Sequence, residues 1–146
     1  MSDLRIERDF RVSPELVFAF VTQPEYLYQW WGHEDMTIIE HNLDFTQPGP
    51  WMSTLLNRDG GRHKMSGVVV AVNPPSSVEF TWGWHDENDQ RGVQTLVRFE
   101  VSANDNGGAR FVLTHTDHPT DEIAAMHTQG WTSVLRSLEK FIQVSH

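Results

Sequence analysis

The side chains best suited to chemistry lie near the end of the chain. His115, Asp117 and His118 fall within four positions, and His127 follows nine residues after His118. Imidazole titrates near neutral pH, so His115 and His127 are candidates for a polar anchor or an acid–base group inside a pocket. The alternative is that both histidines only support the fold, with His115 buried and hydrogen-bonded and His127 partly exposed.

The same cluster raises the question of a metal centre. Positions 115 and 117 share one face of an extended strand, whereas Pro119 and the turn are expected to disrupt the geometry for His118. No His-Glu-x-x-His spacing occurs, and eight histidines in 146 residues make chance clusters common. We therefore predict no metal site.

Other catalytic and cofactor motifs are missing from the sequence. It contains no nucleophile elbow, phosphate-binding loop or dinucleotide fingerprint. Asp86, Glu87 and Asp89 fall in a polar loop, where solvation accounts for them. We predict no cofactor and assign no catalytic residue.

The tryptophan content is the most unusual feature of the composition. Indole combines a large apolar area with one N–H donor, which suits the wall of a pocket for an aromatic or lipid-like ligand. The alternative is that these rings only fill the core. Trp82 and Trp84 share a strand face, whereas Trp30 and Trp31 are adjacent on a short helix, so one should pack and the other should lie at the cavity rim. The candidate ligand-binding residues are Trp30, Trp31, Trp51, Phe80, Trp82, Trp84, Phe111, His115, His127 and Trp131.

A long helix is predicted to carry two of these residues. From 120 to 144, apolar side chains recur at the three-and-four spacing of one helical face. Thr120 is a suitable N-cap. Gly130 lies in the middle, where glycine costs about 1 kcal/mol relative to alanine. This cost indicates either close backbone approach or space kept open beside Trp131.

The remaining elements should form an antiparallel sheet. Alternating apolar residues and turn signals predict strands at 4–12, 36–45, 51–57, 63–72, 78–85, 92–102 and 109–116. Two short helices are predicted at 14–21 and 24–31, each beginning with a proline. Sequential hairpins with helices at both ends of the chain predict an α+β fold.

Composition limits the partners and the location. A net charge of −9 with only two lysines argues against nucleic acid or an anionic membrane as partner. The absence of cysteine excludes disulfides and thiolate metal sites. We find no signal peptide, membrane-spanning stretch, internal repeat or linker, so we predict a single cytoplasmic domain over residues 1–146.

Several short motifs occur in an order known from one protein superfamily. They are Ser13-Pro14-Glu15-Leu16-Val17-Phe18, Gln29-Trp30-Trp31-Gly32, Gly67-Val68-Val69-Val70-Ala71-Val72-Asn73-Pro74-Pro75, Phe80-Thr81-Trp82, Leu113-Thr114-His115 and His127-Thr128-Gln129-Gly130-Trp131. The chain resembles the START-like, helix-grip superfamily (SRPBCC, which includes birch-pollen-allergen-like proteins). It is most similar to the branch named after the activator of heat-shock-protein-90 ATPase.

The resemblance implies a curved antiparallel sheet of six or seven strands that grips the C-terminal helix, often with an apolar cavity between them. Two turns depart from the family pattern. Pro48-Gly49-Pro50-Trp51 stands where paired glycines are common, and Gly108-Ala109 stands where Gly-Thr is common. These departures suggest that the mouth of the cavity differs from that of relatives.

Three functions are compatible with this pattern. The leading hypothesis is a non-enzymatic protein that binds a small hydrophobic or amphipathic ligand. The second, implied by the family name, is a chaperone-associated interaction module of the stress response. The third is a cyclase- or hydrolase-like enzyme that uses His115 or His127 as its acid–base group. An exposed sheet face could also support a homodimer.

Overall fold

The computed structural model describes residues 2–32 and 36–145. Its elements are β1 (Ser2–Phe10), α1 (Pro14–Thr22), α2 (Pro24–Trp30), β2 (Thr37–His41), β3 (Gly49–Leu56), β4 (Arg62–Asn73), β5 (Ser77–Trp84), β6 (Thr95–Ala103), β7 (Ala109–His118) and α3 (Asp121–Ser145). The strands form one antiparallel sheet in the order β1-β7-β6-β5-β4-β3-β2. The predicted helix-grip fold is confirmed.

Local sequence accounts for most of the element boundaries. The Ser13 side chain caps α1 by accepting a hydrogen bond from the Leu16 amide, and a proline opens both α1 and α2. Strand β6 begins at Thr95 rather than at 92, which leaves Val93 62% exposed in the preceding loop. Strand β7 continues to His118, two residues beyond the predicted end.

The core lies between the concave face of the sheet and the helices. Helix α3 lies closest to β1, β7 and α2. It buries Trp131, Leu135 and Leu138 on its apolar stripe. Beneath it, Phe45 stacks on Phe80 with ring centroids 4.3 Å apart. Because α3 packs tightly at the β1–β7 side, the space over β3, β4 and β5 must be filled by large side chains or left open.

Strand β4 contains a glycine that a neighbouring indole requires. Gly67 lies opposite Trp51 in the β3–β4 ladder. The Trp51 Nε1–H group passes over Gly67 and donates to the Thr81 carbonyl oxygen at 3.0 Å. A Cβ at position 67 would overlap that carbonyl oxygen and lie 2.8 Å from Trp51 Nε1. The close approach of indole and backbone is therefore possible only with glycine.

We expect Gly67→Ala to destabilise the protein by about 2 kcal/mol or more, because the added methyl group must displace either Trp51 or β5. Gly92→Ala is the matched control, since a Cβ there meets only the Trp84 carbonyl oxygen at 3.5 Å. Urea unfolding followed by tryptophan fluorescence measures both. Equal free energies of unfolding for the two variants would contradict this account of Gly67.

Candidate functional site

A pocket of about 380 Å³ opens between α3 and the inner faces of β3, β4 and β5. Its described lining residues are Trp31, Gly32, Met36, Leu55, His63, Met65, Trp82, Trp84, Met126, His127, Gln129, Gly130, Trp131 and Val134. The volume is within the range of small-molecule sites. The pocket lies where α3 stands away from the sheet, and Gly130 is part of its wall.

The lining is largely apolar. No aspartate, glutamate, lysine or arginine occurs among the described lining residues. Four indole rings supply flat walls, and Met36, Met65 and Met126 supply flexible, polarisable ones. Such a lining favours an uncharged and largely apolar occupant, because nothing in it would compensate the desolvation of an ion.

The structure divides the candidate residues into two groups. Trp31, Trp82, Trp84, His127 and Trp131 line the pocket. The other five, Trp30, Trp51, Phe80, Phe111 and His115, are buried but lie outside the described lining. Ligand contact stays a prediction for all ten, and the geometry supports it directly only for the first group.

The adjacent tryptophans at the end of α2 have different surroundings, since Trp30 is the last helical residue and Trp31 follows with an extended backbone. Trp30 is 1% exposed, and its Nε1–H group donates to the Phe20 carbonyl oxygen at 2.8 Å. Trp31 reaches the pocket, and its Nε1–H group donates to Ser53 Oγ at 2.9 Å. One ring therefore packs in the core and the other forms part of the wall.

Sequence reasoning missed several lining residues, among them Leu55, His63 and Met65. The alternation of side chains along each strand contained the signal. Leu55 is on the same face of β3 as the predicted Trp51, and His63 and Met65 share one face of β4. What parity does not show is which stretch of each inward face lies under α3 and which lies under the gap.

Histidines 115, 118 and 127 form one buried cluster beside the pocket. The expectation that the turn would disrupt the geometry for His118 is wrong. Asp117 has φ of +71°, which interrupts strand alternation, so that Asp117 is exposed and His118 is fully buried. The alternative in which His127 is partly exposed is also wrong, since its exposed fraction is 6%.

A tryptophan sets the tautomer of His115. The Trp131 Nε1–H group donates to His115 Nδ1 at 3.0 Å, and an indole N–H can only donate. His115 Nδ1 is therefore unprotonated, and its Nε2–H group donates to Thr95 Oγ1 at 2.6 Å. Both ring nitrogens are used, in agreement with the interpretation of a buried, hydrogen-bonded histidine.

A second tryptophan sets the tautomer of His127. The Trp84 Nε1–H group donates to His127 Nε2 at 2.8 Å. The proton of neutral His127 is therefore on Nδ1, which donates to His118 Nε2 at 2.8 Å. Trp84 and His127 both line the pocket, so this network forms part of its wall.

The cluster can be tested as a metal centre by its ring geometry. One ligand atom from each histidine lies within 4.8 Å of the others. A metal lies in the plane of each ligating imidazole, about 2.0–2.1 Å from nitrogen for zinc. The rings of His115 and His127 are stacked with planes only 11° apart and centroids 4.6 Å apart. Such planes do not meet within bonding distance, so the arrangement is that of a hydrogen-bond network.

Burial keeps two of the three rings neutral. Desolvation, with smaller contributions from neighbouring histidines, lowers the pKa of His115 to about 2. Desolvation and then His118 lower the pKa of His127 to about 4. Neither ring is arranged as a general base at neutral pH, because each has a low proton affinity and both of its nitrogens are bonded.

These shifts predict a loss of stability in mild acid. The unfolded histidines titrate near 6.5, so only the unfolded state takes up protons as the pH falls from about 6.5 toward about 4. The free energy of unfolding should be highest above this window and fall within it, by at most about 1.4 kcal/mol per pH unit for each histidine. Urea unfolding across the window measures the slope.

His127→Gln is the informative variant for this prediction. Glutamine can still accept the hydrogen bond from Trp84 but does not titrate. The variant should show a shallower pH dependence of unfolding than the wild type within the window. Identical slopes for the two proteins would show that His127 is not held neutral by folding.

Comparisons with known proteins agree with the fold and the motif order. Residues 11–143 match the family model described as "Activator of Hsp90 ATPase homolog 1-like protein". The crystal structure of the AHSA1 protein from Silicibacter pomeroyi is 46% identical, with 99% of this chain and 100% of that chain covered and a TM-score of 0.95.

More distant structures share the fold alone. A protein from Chromobacterium violaceum is 18% identical, with 97% of this chain and 98% of that chain covered and a TM-score of 0.83. One from Rhizobium leguminosarum is 24% identical, with 97% and 94% covered and a TM-score of 0.82. No curated protein sequence matches significantly.

No helix within the described residues is long and apolar enough to cross a membrane. The family match covers nearly the whole chain, from the start of α1 to within two residues of the end of α3. The chain therefore belongs to the Activator of Hsp90 ATPase homolog 1-like family.

Proposed function

We propose that this protein binds a small, uncharged, hydrophobic or amphipathic ligand in the pocket between α3 and the sheet. The observation that carries the proposal is an open volume of about 380 Å³ walled by indole and methionine side chains. A ligand that removes this apolar surface from water gains roughly 25 cal/mol for each Å² buried.

Trp82 provides a polar anchor for such a ligand. Its Nε1 atom is the one buried side-chain polar atom without a hydrogen-bond partner in the described part of the chain. An unsatisfied buried donor costs about 1–3 kcal/mol. Because the atom is almost inaccessible, a carbonyl, ester or ether oxygen on the ligand would satisfy it only after the indole ring turns toward the pocket. The proposed ligand is therefore an apolar molecule with one neutral acceptor.

Gly130 supports the same conclusion from the helix side. It lies in the pocket wall, in the middle of α3, where glycine weakens the helix by about 1 kcal/mol relative to alanine. A side chain at this position would take up pocket volume. Of the two interpretations of Gly130, space kept open beside Trp131 is the one that fits its position.

The other hypotheses have less support from the structure. Family membership is the only argument for a chaperone contact, and that contact, the homodimer and the cytoplasmic location stay predictions. An enzyme using His115 or His127 as its acid–base group would need a free ring nitrogen of that residue in the pocket. His115 lies outside the lining, and both nitrogens of His127 are hydrogen-bonded.

Gly130→Leu should abolish binding by filling the pocket. The probe is N-phenyl-1-naphthylamine, a neutral aromatic dye whose fluorescence rises in apolar surroundings, titrated into the purified protein. We expect the wild type to bind it and Gly130→Leu to bind at least about tenfold more weakly, which corresponds to about 1.4 kcal/mol.

Ala125→Leu is the matched control, because Ala125 is exposed on the same helix and lies outside the pocket lining. It should bind the dye as the wild type does. Thermal unfolding of each variant separates a filled pocket from a damaged fold. The proposal would be contradicted if the wild type did not bind the dye, or if Gly130→Leu bound it as tightly as the wild type does.

A further inference from the structure

A second group of reactive side chains lies on the opposite face of the sheet from the pocket. Strand β4 alternates, so that Met65 lines the pocket and Ser66 faces outward, with the exposed Val68 and Val70 on the same side. The β4–β5 hairpin brings His85, which follows β5, beside Ser66, and a short loop returns Asp89 to His85.

The three side chains form a continuous hydrogen-bonded line. Ser66 Oγ lies 2.7 Å from His85 Nε2, and His85 Nδ1 lies 2.8 Å from Asp89 Oδ1. An ionised carboxylate only accepts hydrogen bonds, so the His85 proton is on Nδ1. The lone pair of Nε2 is then directed at the Ser66 hydroxyl. A nucleophile, a base and a group that orients the base stand in the order that activates serine.

Lys64 keeps the carboxylate of Asp89 charged. The Lys64 ammonium lies 3.0 Å from Asp89 Oδ1. The hydrogen bond from Lys64, more than that from His85, holds the pKa of Asp89 below its ordinary value. An aspartate is an anion at neutral pH already, and Lys64 stabilises that charge further, so that neutral His85 keeps the tautomer that serine activation needs.

The loop that carries Asp89 is held by its own hydrogen bonds. The Asp86 amide donates to the Gln90 carbonyl oxygen at 3.0 Å, and the Gln90 amide donates to Asp86 Oδ1 at 2.9 Å. The Asp89 amide donates to the Asp86 carbonyl oxygen at 3.0 Å. Asp89 itself has φ of +59°. These bonds position the carboxylate before any substrate arrives, which is the condition for an orienting group.

Arg91 places a positive charge beside the serine. Its Nε and Nη2 atoms donate to the Ser66 carbonyl oxygen at 3.3 and 3.0 Å, and its Nη1 atom donates to Gln94 Oε1 at 3.1 Å. The guanidinium occupies the side-chain space of Gly83, the residue opposite Ser66 in the ladder. A Cβ on Gly83 would lie 2.6 Å from Arg91 Cζ, so glycine is required there.

This placement suits the stabilisation of an oxyanion. Three of the five guanidinium N–H groups are used in the bonds to Ser66 and Gln94, and among the described residues the other two are without a partner. In the proposed centre these two groups would be the donors available to negative charge that develops on a carbonyl oxygen bound at Ser66. Fixed donors of this kind are usually a large contributor to acyl transfer.

We propose that Ser66, His85 and Asp89, with Arg91, form a serine-hydrolase-type centre on the outer face of the sheet that cleaves small carboxylic esters. Ser66 is partly exposed, and its partner His85 lines a groove together with Asp89, although Ser66 itself is outside the described lining. Leu56 and Thr54 also line that groove and would contact the alcohol portion of the ester.

The reaction is balanced with water as the only co-reactant. Ser66 Oγ bonds to the ester carbonyl carbon as its proton passes to His85 Nε2. The bond from that carbon to the alcohol oxygen then breaks, and His85 returns the proton to the departing alcohol. Water attacks the acyl-serine with His85 again taking and returning one proton, which releases the carboxylic acid and restores Ser66.

The first test is covalent labelling of the intact wild-type protein with a fluorophosphonate. Such a reagent transfers its phosphorus to an activated serine and loses fluoride. Peptide mass spectrometry should locate the label on Ser66. A label on another serine only, or no label at all, would overturn the proposal without any variant having to fold.

The second test is hydrolysis of p-nitrophenyl butyrate by variants. Ser66→Ala and His85→Gln should each lower kcat/KM by at least about 100-fold. Asp89→Asn, which changes a positioning residue, should lower kcat and leave KM unchanged. Ser102→Ala, an exposed strand serine on the same sheet, should leave the rate unchanged.

One alternative outcome would identify His85, rather than Ser66, as the nucleophile. An exposed imidazole can attack an activated ester by itself, and Ser66→Ala would then keep the rate that His85→Gln loses. That result would overturn the assignment of Ser66 as nucleophile. Circular dichroism of each variant shows whether a lost rate reflects chemistry or a lost fold, and dye binding in the α3 pocket should be unaffected in all of them.

Discussion

Two hydrogen bonds between indole and imidazole rings join helix α3 to the sheet, and the rest of the structure is arranged around them. In one of them Trp131 on the helix donates to His115 on β7, and in the other His127 on the helix accepts from Trp84 on β5. Both bonds are at least partly buried, where hydrogen bonds lose little strength to competition with water. They are also directional, so they set the height and rotation of α3 more narrowly than apolar packing could.

The pocket follows from this constraint. The helix is held close to β1 and β7, and the indoles that make the bonds stand as walls over β5. A gap remains beside Gly130, where no side chain projects to fill it. The polar network therefore supports the fold and also shapes a cavity, and His127, with both ring nitrogens hydrogen-bonded, contributes to the wall of that cavity. Members of a family share the fold but need not share a ligand, so the side chains of the pocket wall carry the information about the ligand.

Strand β4 shows how one element can serve two faces. His63 and Met65 point inward and border the α3 pocket, whereas Lys64 and Ser66 point outward. Gly67 and Gly83 make both faces possible, since the first allows Trp51 to cross the strand inside and the second allows Arg91 to lie beside Ser66 outside. The two faces share a backbone but no side chains, so substitutions on one are expected to leave the other intact.

Local periodicity, caps and turn residues were enough to predict the α+β class, the order of the ten elements in the described part of the chain and most inward-facing positions. It could not show that His118 turns inward, since a single positive φ at Asp117 reverses the parity of the strand. Nor could it show that Ser66, His85 and Asp89 meet, because that contact depends on the register of the β4–β5 hairpin and on the path of one loop. Local patterns specify which way a side chain points. Only tertiary structure decides what it meets, because register, helix rotation and the gap under α3 result from long-range contacts that have no local period.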